Sequence, residues 1–230
     1  MLRLLNVTVT LLLAVTAARA SPWWVSWDGD TYPETEGWSH YSSDPPAERW
    51  LEDGKLFIDS RAAPGIYDIY GQLRSGEMSV GPGQNFVMSW RVRVDEAIHS
   101  DPAVFIRFDD YYTVHLSLAT NGVYCDTPPG GWAPFVPGEF HEFVFESADM
   151  RAFSLYIDGT PALQGTFFEG LPGAPGVGWG DMTSSCSLAE WDWVNCGIVP
   201  EPSACACMLV AILGARLPRR YVIGTRNTQQ

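Results

Sequence analysis

Basic residues are scarce in this chain of 230 residues, and above all in its middle. The sequence has 14 Lys and Arg against 27 Asp and Glu, and Lys55 is its single lysine. Residues 21–198 hold eight of the basic and 26 of the acidic residues, which gives this segment a formal net charge of −18. Because binding to nucleic acid or to anionic lipid depends on neutralising phosphates, so strong a surplus of acids excludes a nucleic-acid function.

The sequence also lacks an apolar run long enough to span a bilayer comfortably, which takes about 20 residues. Its first mostly apolar stretch, Leu4–Val15, follows Arg3 and precedes Ala18-Arg19-Ala20, the small-residue pattern that signal peptidase accepts. We therefore expect residues 1–20 to be a signal peptide that signal peptidase removes, and the protein to be exported.

A helical repeat of 3.6 residues is missing from the middle of the chain, where apolar and polar residues alternate instead. In Phe86–Glu96, Trp90, Val92 and Val94 fall on one face and Arg91 and Arg93 on the other. The same period of two predicts strands in a longer series of segments: Lys55–Ser60, Ala103–Phe108, 111–118, Phe140–Glu146, Ala152–Ile157, Gly176–Gly180 and Leu188–Val194. Asp158-Gly159 is the strongest short hairpin signal. Residues 21–198 are thus predicted to form an all-β, two-sheet antiparallel β-sandwich.

Three segments of this region carry a family resemblance. Gly138–Gly159 (GEFHEFVFESADMRAFSLYIDG) resembles the strand–turn–strand of concanavalin A-like (laminin G-like) jelly-roll domains. Arg49–Ser60 and Val177–Val194 are similar to the first and last strands of such domains. The resemblance implies the jelly-roll fold, but it does not imply what such a domain binds.

The C-terminal segment 199–220 resembles the PEP-CTERM sorting signal of Gram-negative bacteria. It consists of VPEPS, a 12-residue uncharged run and a basic cluster. The matching residues are Val199, Pro200, Glu201, Pro202, Arg216, Arg219 and Arg220. The resemblance implies transient membrane insertion, processing by an exosortase-like membrane enzyme, and delivery to the cell surface or the exopolysaccharide matrix. The alternative is a C-terminal strand or helix docked on the domain; residues 221–230 are expected to be a disordered tail.

One pair of carboxylates suggests catalysis. Glu190 and Asp192 share one face of the predicted last strand. Glucanases of the resembling fold carry a third acid on this strand, because retaining hydrolysis places two carboxyl groups about 5 Å apart. Here Val194 and Asn195 occupy the positions of the third acid, and the strand is expected to be last rather than central. We therefore favour a solvated strand face over a catalytic pair. The four histidines fit neither a nucleophile elbow nor a zinc signature.

A set of basic and aromatic residues suggests binding instead. By strand parity, arginines and a histidine fall opposite the apolar faces of their strands, and aromatic side chains flank them. Sugar rings stack on such aromatic rings, and guanidinium groups bind the carboxylates or sulfates of polysaccharides. The predicted ligand-binding residues are Arg91, Arg93, Arg107, His115, Tyr111, Trp132 and Tyr156. The alternative is that these basic side chains form cross-strand ion pairs with acids such as Glu142 or Asp95.

Two smaller features concern metal and redox chemistry. Asp109 and Asp110 supply carboxylates that calcium prefers, although two aspartates are also ordinary turn residues, which is the interpretation we favour. Calcium therefore remains an alternative, and no other cofactor is expected. Three cysteines lie in the exported domain, so at most one disulfide forms among them. Cys186 cannot reach Cys196 if an extended strand separates them, and we predict a bond between Cys125 and Cys186.

The sequence predicts an exported, non-catalytic jelly-roll protein of the cell surface or extracellular matrix that binds glycan or serves as a matrix component. One alternative is a glycoside hydrolase or polysaccharide lyase of the same fold, which would need two carboxylates converging in a groove. A purely structural surface protein would have no aromatic-lined groove at all.

Overall fold

The computed structural model describes residues 23–62, 65–73, 78–97, 102–109, 112–126, 130–169, 173–182 and 186–200. These residues form strands and one short 3-10 helix, Pro33–Glu36. The strands are β1 (Trp23–Trp27), β2 (Ser39–Ser42), β3 (Glu48–Glu52), β4 (Lys55–Asp59), β5 (Asp68–Leu73), β6 (Gln84–Ala97), β7 (Ala103–Arg107), β8 (Tyr112–Ala119), β9 (Gly122–Cys125), β10 (Gly131–Pro134), β11 (His141–Ser147), β12 (Ala152–Ile157), β13 (Thr160–Thr166), β14 (Phe168–Glu169), β15 (Gly176–Asp181) and β16 (Ser187–Pro200).

Two sheets account for these strands. Sheet A has the order β3-β4-β16-β6-β11-β12-β13, and β1 pairs with the C-terminal half of β16. Sheet B has the order β2-β5-β15-β7-β8-β9-β10, and β14 pairs with β8. Strands β6 and β7 follow each other in the chain but lie in different sheets. The prediction of an all-β, two-sheet antiparallel sandwich is confirmed.

The alternating sequence pattern explains which side chains face the core. In β6, Trp90, Val92 and Val94 are at most 3% exposed, whereas Arg91 and Arg93 are half-buried on the opposite side of the strand. The apolar members of β8 are fully buried in the same way: Val114, Leu116 and Leu118. Burying one such side chain contributes about 1.5–3 kcal/mol, so parity along each strand decides which face packs inward.

Aromatic rings from both sheets meet in the core around Trp179 of β15. The ring centroid of Trp179 lies 4.8 Å from that of Trp191 in sheet A and 4.8 Å from that of Tyr70 in sheet B. Trp27 of β1 stacks on it at 5.2 Å. These contacts join the two sheets, because Trp179 and its neighbours are almost entirely buried.

The predicted hairpin at Asp158-Gly159 is confirmed. Both residues have positive φ, 50° and 73°, as a two-residue turn between right-twisted strands requires. The turn joins β12 to β13, with Ile157 opposite Thr160. The same turn chemistry recurs between β3 and β4.

The last strand does not lie where the sequence predicted. Strand β16 is last in the chain, but it is an interior strand of sheet A between β4 and β6. Long-range pairing explains the difference, because β16 lies between β4 and β6, two strands that are distant from it in the sequence. Val199 and Pro200, the start of the predicted sorting motif, continue β16. The predicted signal peptide, the rest of the sorting motif from Glu201 and the segment 221–230 lie outside the described residues.

Candidate functional site

The basic residues predicted to form one patch lie on two opposite surfaces. Arg91 and Arg93 belong to β6 and face outward from sheet A. Arg107 of β7 and His115 of β8 face outward from sheet B. Because the sheets pack face to face, their outer surfaces point in opposite directions. The prediction of a single patch is therefore wrong: the chain crosses from one sheet to the other between β6 and β7.

The arginines on sheet A are paired with carboxylates of the neighbouring strand. Arg91 forms an ion pair with Asp192, and Arg93 forms one with Glu190. Arg93 also contacts Asp95, with 2.9 Å between Nε and Oδ1. The alternative of cross-strand ion pairs therefore holds for these two arginines, but their cross-strand partners are Asp192 and Glu190 of β16. Asp95, which that alternative named, lies on the same strand as Arg93.

The same pairs bear on the catalytic alternative for Glu190 and Asp192. The two carboxylates do share one face of β16, as predicted, but each is neutralised by an arginine. The Glu190 side chain is only 7% exposed. The ring of Phe140 lies against the guanidinium groups, 4.8 Å from Cζ of Arg91 and 5.4 Å from Cζ of Arg93. A retaining pair has both carboxyl groups facing a substrate, whereas these two are engaged with arginines.

The predicted aromatic residues are also separated. Tyr156 lies half-buried on β12 in sheet A, and Trp132 lies on the edge strand β10 of sheet B. Tyr111 lies outside the described residues. The described members of the predicted ligand-binding set are therefore divided between two surfaces, with Arg91, Arg93 and Tyr156 on sheet A and Arg107, His115 and Trp132 on sheet B.

That surface is rich in aromatic side chains, and we call it the aromatic face. Tyr41, Tyr124 and Trp132 project from sheet B and are 44%, 41% and 38% exposed. Phe105 of β7 is half-buried on the same side. The rings of Tyr124 and Trp132 are adjacent, with centroids 4.2 Å apart. The members of the aromatic face are Tyr41, Phe105, Tyr124 and Trp132.

Glycines beneath these rings let them approach the sheet closely. A β-carbon on Gly122 would lie 2.2 Å from Cη2 of Trp132, and one on Gly178 would lie 2.2 Å from Cε1 of Phe105. A β-carbon on Gly71 would lie 3.5 Å from Cε2 of Tyr41, which is an ordinary van der Waals distance. The rings of Trp132 and Phe105 therefore occupy space that a side chain would otherwise fill, and they pack against the backbone of the adjacent strand.

A polar cluster lies beside the aromatic residues. His115 Nδ1 is 2.8 Å from Oδ2 of Asp126, and the hydroxyl of Ser117 donates to the same oxygen at 2.9 Å. The hydrogen bond with His115 holds the pKa of the Asp126 carboxyl below its usual range, against the opposite effect of partial burial. Since Ser117 donates to the carboxylate and not to the imidazole Nε2, the three residues do not form a nucleophilic triad.

Arg107 lies in the middle of sheet B, next to the aromatic face. On β7 it pairs with Gly176 of β15 on one side and Thr113 of β8 on the other. Its Cζ is 5.8 Å from the centroid of the Phe105 ring, and Nη1 donates to the carbonyl of Ala174 at 3.4 Å. The aromatic face therefore has a guanidinium group beside one of its rings.

The sequence pointed to Trp132 but missed Tyr41, Phe105 and Tyr124. The alternation of apolar and polar residues predicts which side chains point outward from a strand, but it does not predict in which sheet the strand lies. It therefore could not distinguish these three residues from other outward strand residues. A signal was present in the alternating glycines of Gly176–Gly180. Glycine at every second position of a strand leaves one face without side chains, which neighbouring aromatic rings can cover.

The described residues hold neither a metal-binding cluster nor a membrane-spanning helix. Within the described residues, no group of three or more His, Cys, Asp and Glu side chains is arranged to hold a metal ion. Oδ1 of Asp109 accepts the backbone N–H of Tyr112 at 2.7 Å, which is the turn role favoured above; Asp110 lies outside the described residues. No helix in the described part of the chain is long and apolar enough to cross a bilayer.

The predicted disulfide between Cys125 and Cys186 does not form in the structure, where Cys186 is a free thiol. Cys125 lies on β9 in sheet B and is buried, whereas Cys186 directly precedes β16 in sheet A. The prediction is wrong because it treated both residues as loop residues, while Cys125 is held within a strand that pairs with β8 and β10.

Comparison with known proteins identifies the fold. No protein-family model matches the chain, and no curated protein matches it in sequence. Among solved structures, a β-glucanase of Bacillus licheniformis matches with a TM-score of 0.53 at 8% identity, over 78% of this chain and 99% of that one. A carbohydrate esterase of a Shiga toxin-encoding bacteriophage matches with 0.53 at 11% identity, over 76% and 97%. A glycosidic hydrolase matches with 0.54 at 12%, over 74% and 94%. The chain therefore has the concanavalin A-like jelly-roll fold that its sequence predicted.

Proposed function

We propose that this protein is an exported, non-catalytic glycan-binding protein, and that it binds glycan on the aromatic face of sheet B. The observation that carries the proposal is the set of outward aromatic rings packed over glycines, with hydrogen-bonding side chains beside them. A sugar ring has an apolar face and a polar rim, so it can stack on an aromatic ring while its hydroxyl groups reach neighbouring polar atoms.

Solved structures that share the fold support glycan as the ligand. The solved structures of this fold named above are a β-glucanase, a carbohydrate esterase and a glycosidic hydrolase. Each of these titles names an action on carbohydrate, which favours a glycan as the ligand here. The ion pairs of Glu190 and Asp192 favour binding without hydrolysis.

The protein's destination is a second part of the proposal. A signal peptide at 1–20 would export the chain. The PEP-CTERM-like segment at 199–220 would insert transiently in the membrane and be processed by an exosortase-like enzyme, which would leave the domain at the cell surface or in the exopolysaccharide matrix. A glycan-binding domain at such a location would join matrix polysaccharide to the cell.

Glycan binding is tested by applying the purified protein to a glycan array, with and without calcium, together with an assay for released reducing sugar. We expect saturable binding without release. Tyr124→Ala and Trp132→Ala should each weaken binding at least tenfold, about 1.4 kcal/mol. Trp50→Ala is the matched control, because Trp50 stacks on Phe57 on sheet A, with centroids 4.9 Å apart.

The outcomes discriminate among the candidate functions. Release of sugar that is lost in Glu190→Gln would establish a hydrolase and contradict the proposal. Absence of binding to any glycan would leave a purely structural surface protein. Equal loss of binding in Trp50→Ala and Trp132→Ala would show that the aromatic face has no special role.

The destination is tested by expressing the full chain in a Gram-negative host that has an exosortase and measuring the mass of the surface protein. We expect a chain that begins near Ser21 and lacks the residues after the sorting motif. Replacing Pro200, Glu201 and Pro202 by alanine should retain the C-terminal segment in the membrane. A surface protein that still ends at Gln230 would contradict the sorting proposal.

A further inference from the structure

Arg107 differs in its partners from most of the other outward arginines. Arg91 and Arg93 on sheet A, Arg49 beside Glu34 and Arg61 beside Asp59 all contact a carboxylate. Within the described residues Arg107 forms no ion pair, and its hydrogen bond is the long one to the carbonyl of Ala174. The guanidinium group of Arg107 is therefore a positive charge beside the aromatic face that no described side chain neutralises.

The surroundings of Arg107 make the missing counter-ion significant. Arg107 is half-buried, and its Nε is buried without a hydrogen-bond partner in the described part of the chain. A charged group withdrawn from water ordinarily has an opposite charge or a full set of hydrogen bonds, because its desolvation is costly. An anionic group of a ligand would supply both.

The position of Arg107 indicates which kind of anion fits. Its guanidinium lies 5.8 Å from the Phe105 ring, with a strand of glycines on one side and Thr113 on the other. A ligand that stacks on Phe105 would therefore hold its substituents within reach of the guanidinium. A planar carboxylate matches the fork of a guanidinium with two parallel hydrogen bonds.

We propose that the glycan bound by the aromatic face contains uronic acid, and that Arg107 binds the carboxylate of the uronate unit stacked on Phe105. This inference rests on the proposed function and narrows it to acidic glycans. The strongly acidic remainder of the domain repels dense polyanions. The ligand is therefore a chain with both neutral and uronate units, and the polar cluster around His115 meets its hydroxyl groups.

The test compares two oligosaccharides that differ only in charge. One is a glucuronate-containing oligosaccharide, and the other is its carboxyl-reduced counterpart, in which each uronate has become a neutral hexose. Titration calorimetry of the full protein should show at least tenfold tighter binding of the acidic form. The preference should decrease with added salt, because screening weakens the charge interaction.

Variants assign the preference to Arg107. Arg107→Gln should bind the acidic and the neutral form with equal affinity, and Arg107→Lys should retain part of the preference because the charge remains. Arg151→Gln is the matched control, since Arg151 is exposed and likewise lacks an ion pair within the described residues. The melting temperature of each variant shows whether it is folded.

The outcomes separate this inference from the proposed function. Equal affinity of the wild-type protein for the two oligosaccharides would overturn the inference. The proposed glycan binding would then stand without a preference for uronate. A preference that persists in Arg107→Gln would also overturn it, because the carboxylate would then bind elsewhere. Binding to neither oligosaccharide, with no binding on a glycan array, would contradict the proposed function itself.

Discussion

The two outer faces of the sandwich handle their polar groups in opposite ways. On sheet A the arginines of β6 pair with the acids of β16, so the charges are satisfied within the protein. On sheet B the aromatic rings lie over glycines and are open to solvent, and Arg107 has no described counter-ion. Breaking an ion pair on sheet A would leave a charge without its partner, so these pairs matter for stability. The exposed aromatic rings and the unneutralised charge of sheet B are available to a ligand.

The comparison teaches how a fold can separate stability from binding. On sheet A, Glu190 and Asp192 are engaged in ion pairs with the arginines of β6. The aromatic face has no carboxylate other than that of Asp126 among its described polar contacts. We therefore expect substitutions on sheet A to change mainly stability and substitutions on sheet B to change mainly binding.

The largest effect is expected from Glu190→Ala on sheet A. Removing this carboxylate leaves Arg93 with Asp95 as its remaining acid, and we expect the free energy of unfolding to fall by about 2 kcal/mol. The loss is smaller than for a fully buried pair because the Arg93 side chain is 31% exposed. Urea denaturation measures it, and glycan affinity should be unchanged.

Glu190→Gln is the control for that variant, because its amide oxygen can still accept a hydrogen bond from Arg93. Its loss of stability should be less than half that of Glu190→Ala. If Glu190→Ala retained full stability but lost glycan binding, sheet A would be the functional face and the comparison would be reversed.

A smaller effect is expected from Gly178→Ala on sheet B. The new methyl group would lie 2.2 Å from Cε1 of Phe105, so the ring must move. We expect a loss of about 1 kcal/mol in stability from the overpacking and a severalfold loss of glycan affinity. Thermal unfolding and calorimetry measure the two effects.

Gly71→Ala provides a graded control on the same face. Its β-carbon would meet Tyr41 at 3.5 Å, an ordinary van der Waals distance, so the ring can stay in place. Its binding should therefore be close to that of the wild-type protein. Equal losses in the two glycine variants would mean that ring position does not control binding.

The smallest effect is expected from Asp126→Asn. The Asp126 side chain is 54% exposed, so its pair with His115 contributes less than about 1 kcal/mol at neutral pH. Since the folded-state pKa of Asp126 is depressed, this contribution is present above the usual pKa of aspartate, about 3.9, and is lost as the pH falls through the folded-state pKa. Thermal unfolding of both proteins from pH 7 to pH 2 should show melting temperatures that converge. A constant difference down to pH 2 would show that the charge of Asp126 does not stabilise the fold.

Local patterns predicted the strands well because parity and turn chemistry act over a few residues. The burial of Trp90, Val92 and Val94 followed from alternation, and the β12–β13 hairpin followed from Asp158-Gly159. The site was less predictable, since its geometry depends on pairing between distant strands. Arg91 and Asp192 are 101 positions apart, and nothing in either segment specifies the other as its partner.

The sequence by itself determined the fold class, the inward side of each strand and the acidic character of the surface. It also determined that Arg107 would face away from the apolar side of its strand. Only the tertiary structure decided which outward side chains share a surface, because the chain crosses between sheets after β6 and so places Arg93 and Arg107 on opposite faces. It alone brought the Phe105 ring over Gly178, because that contact depends on the register between β7 and β15.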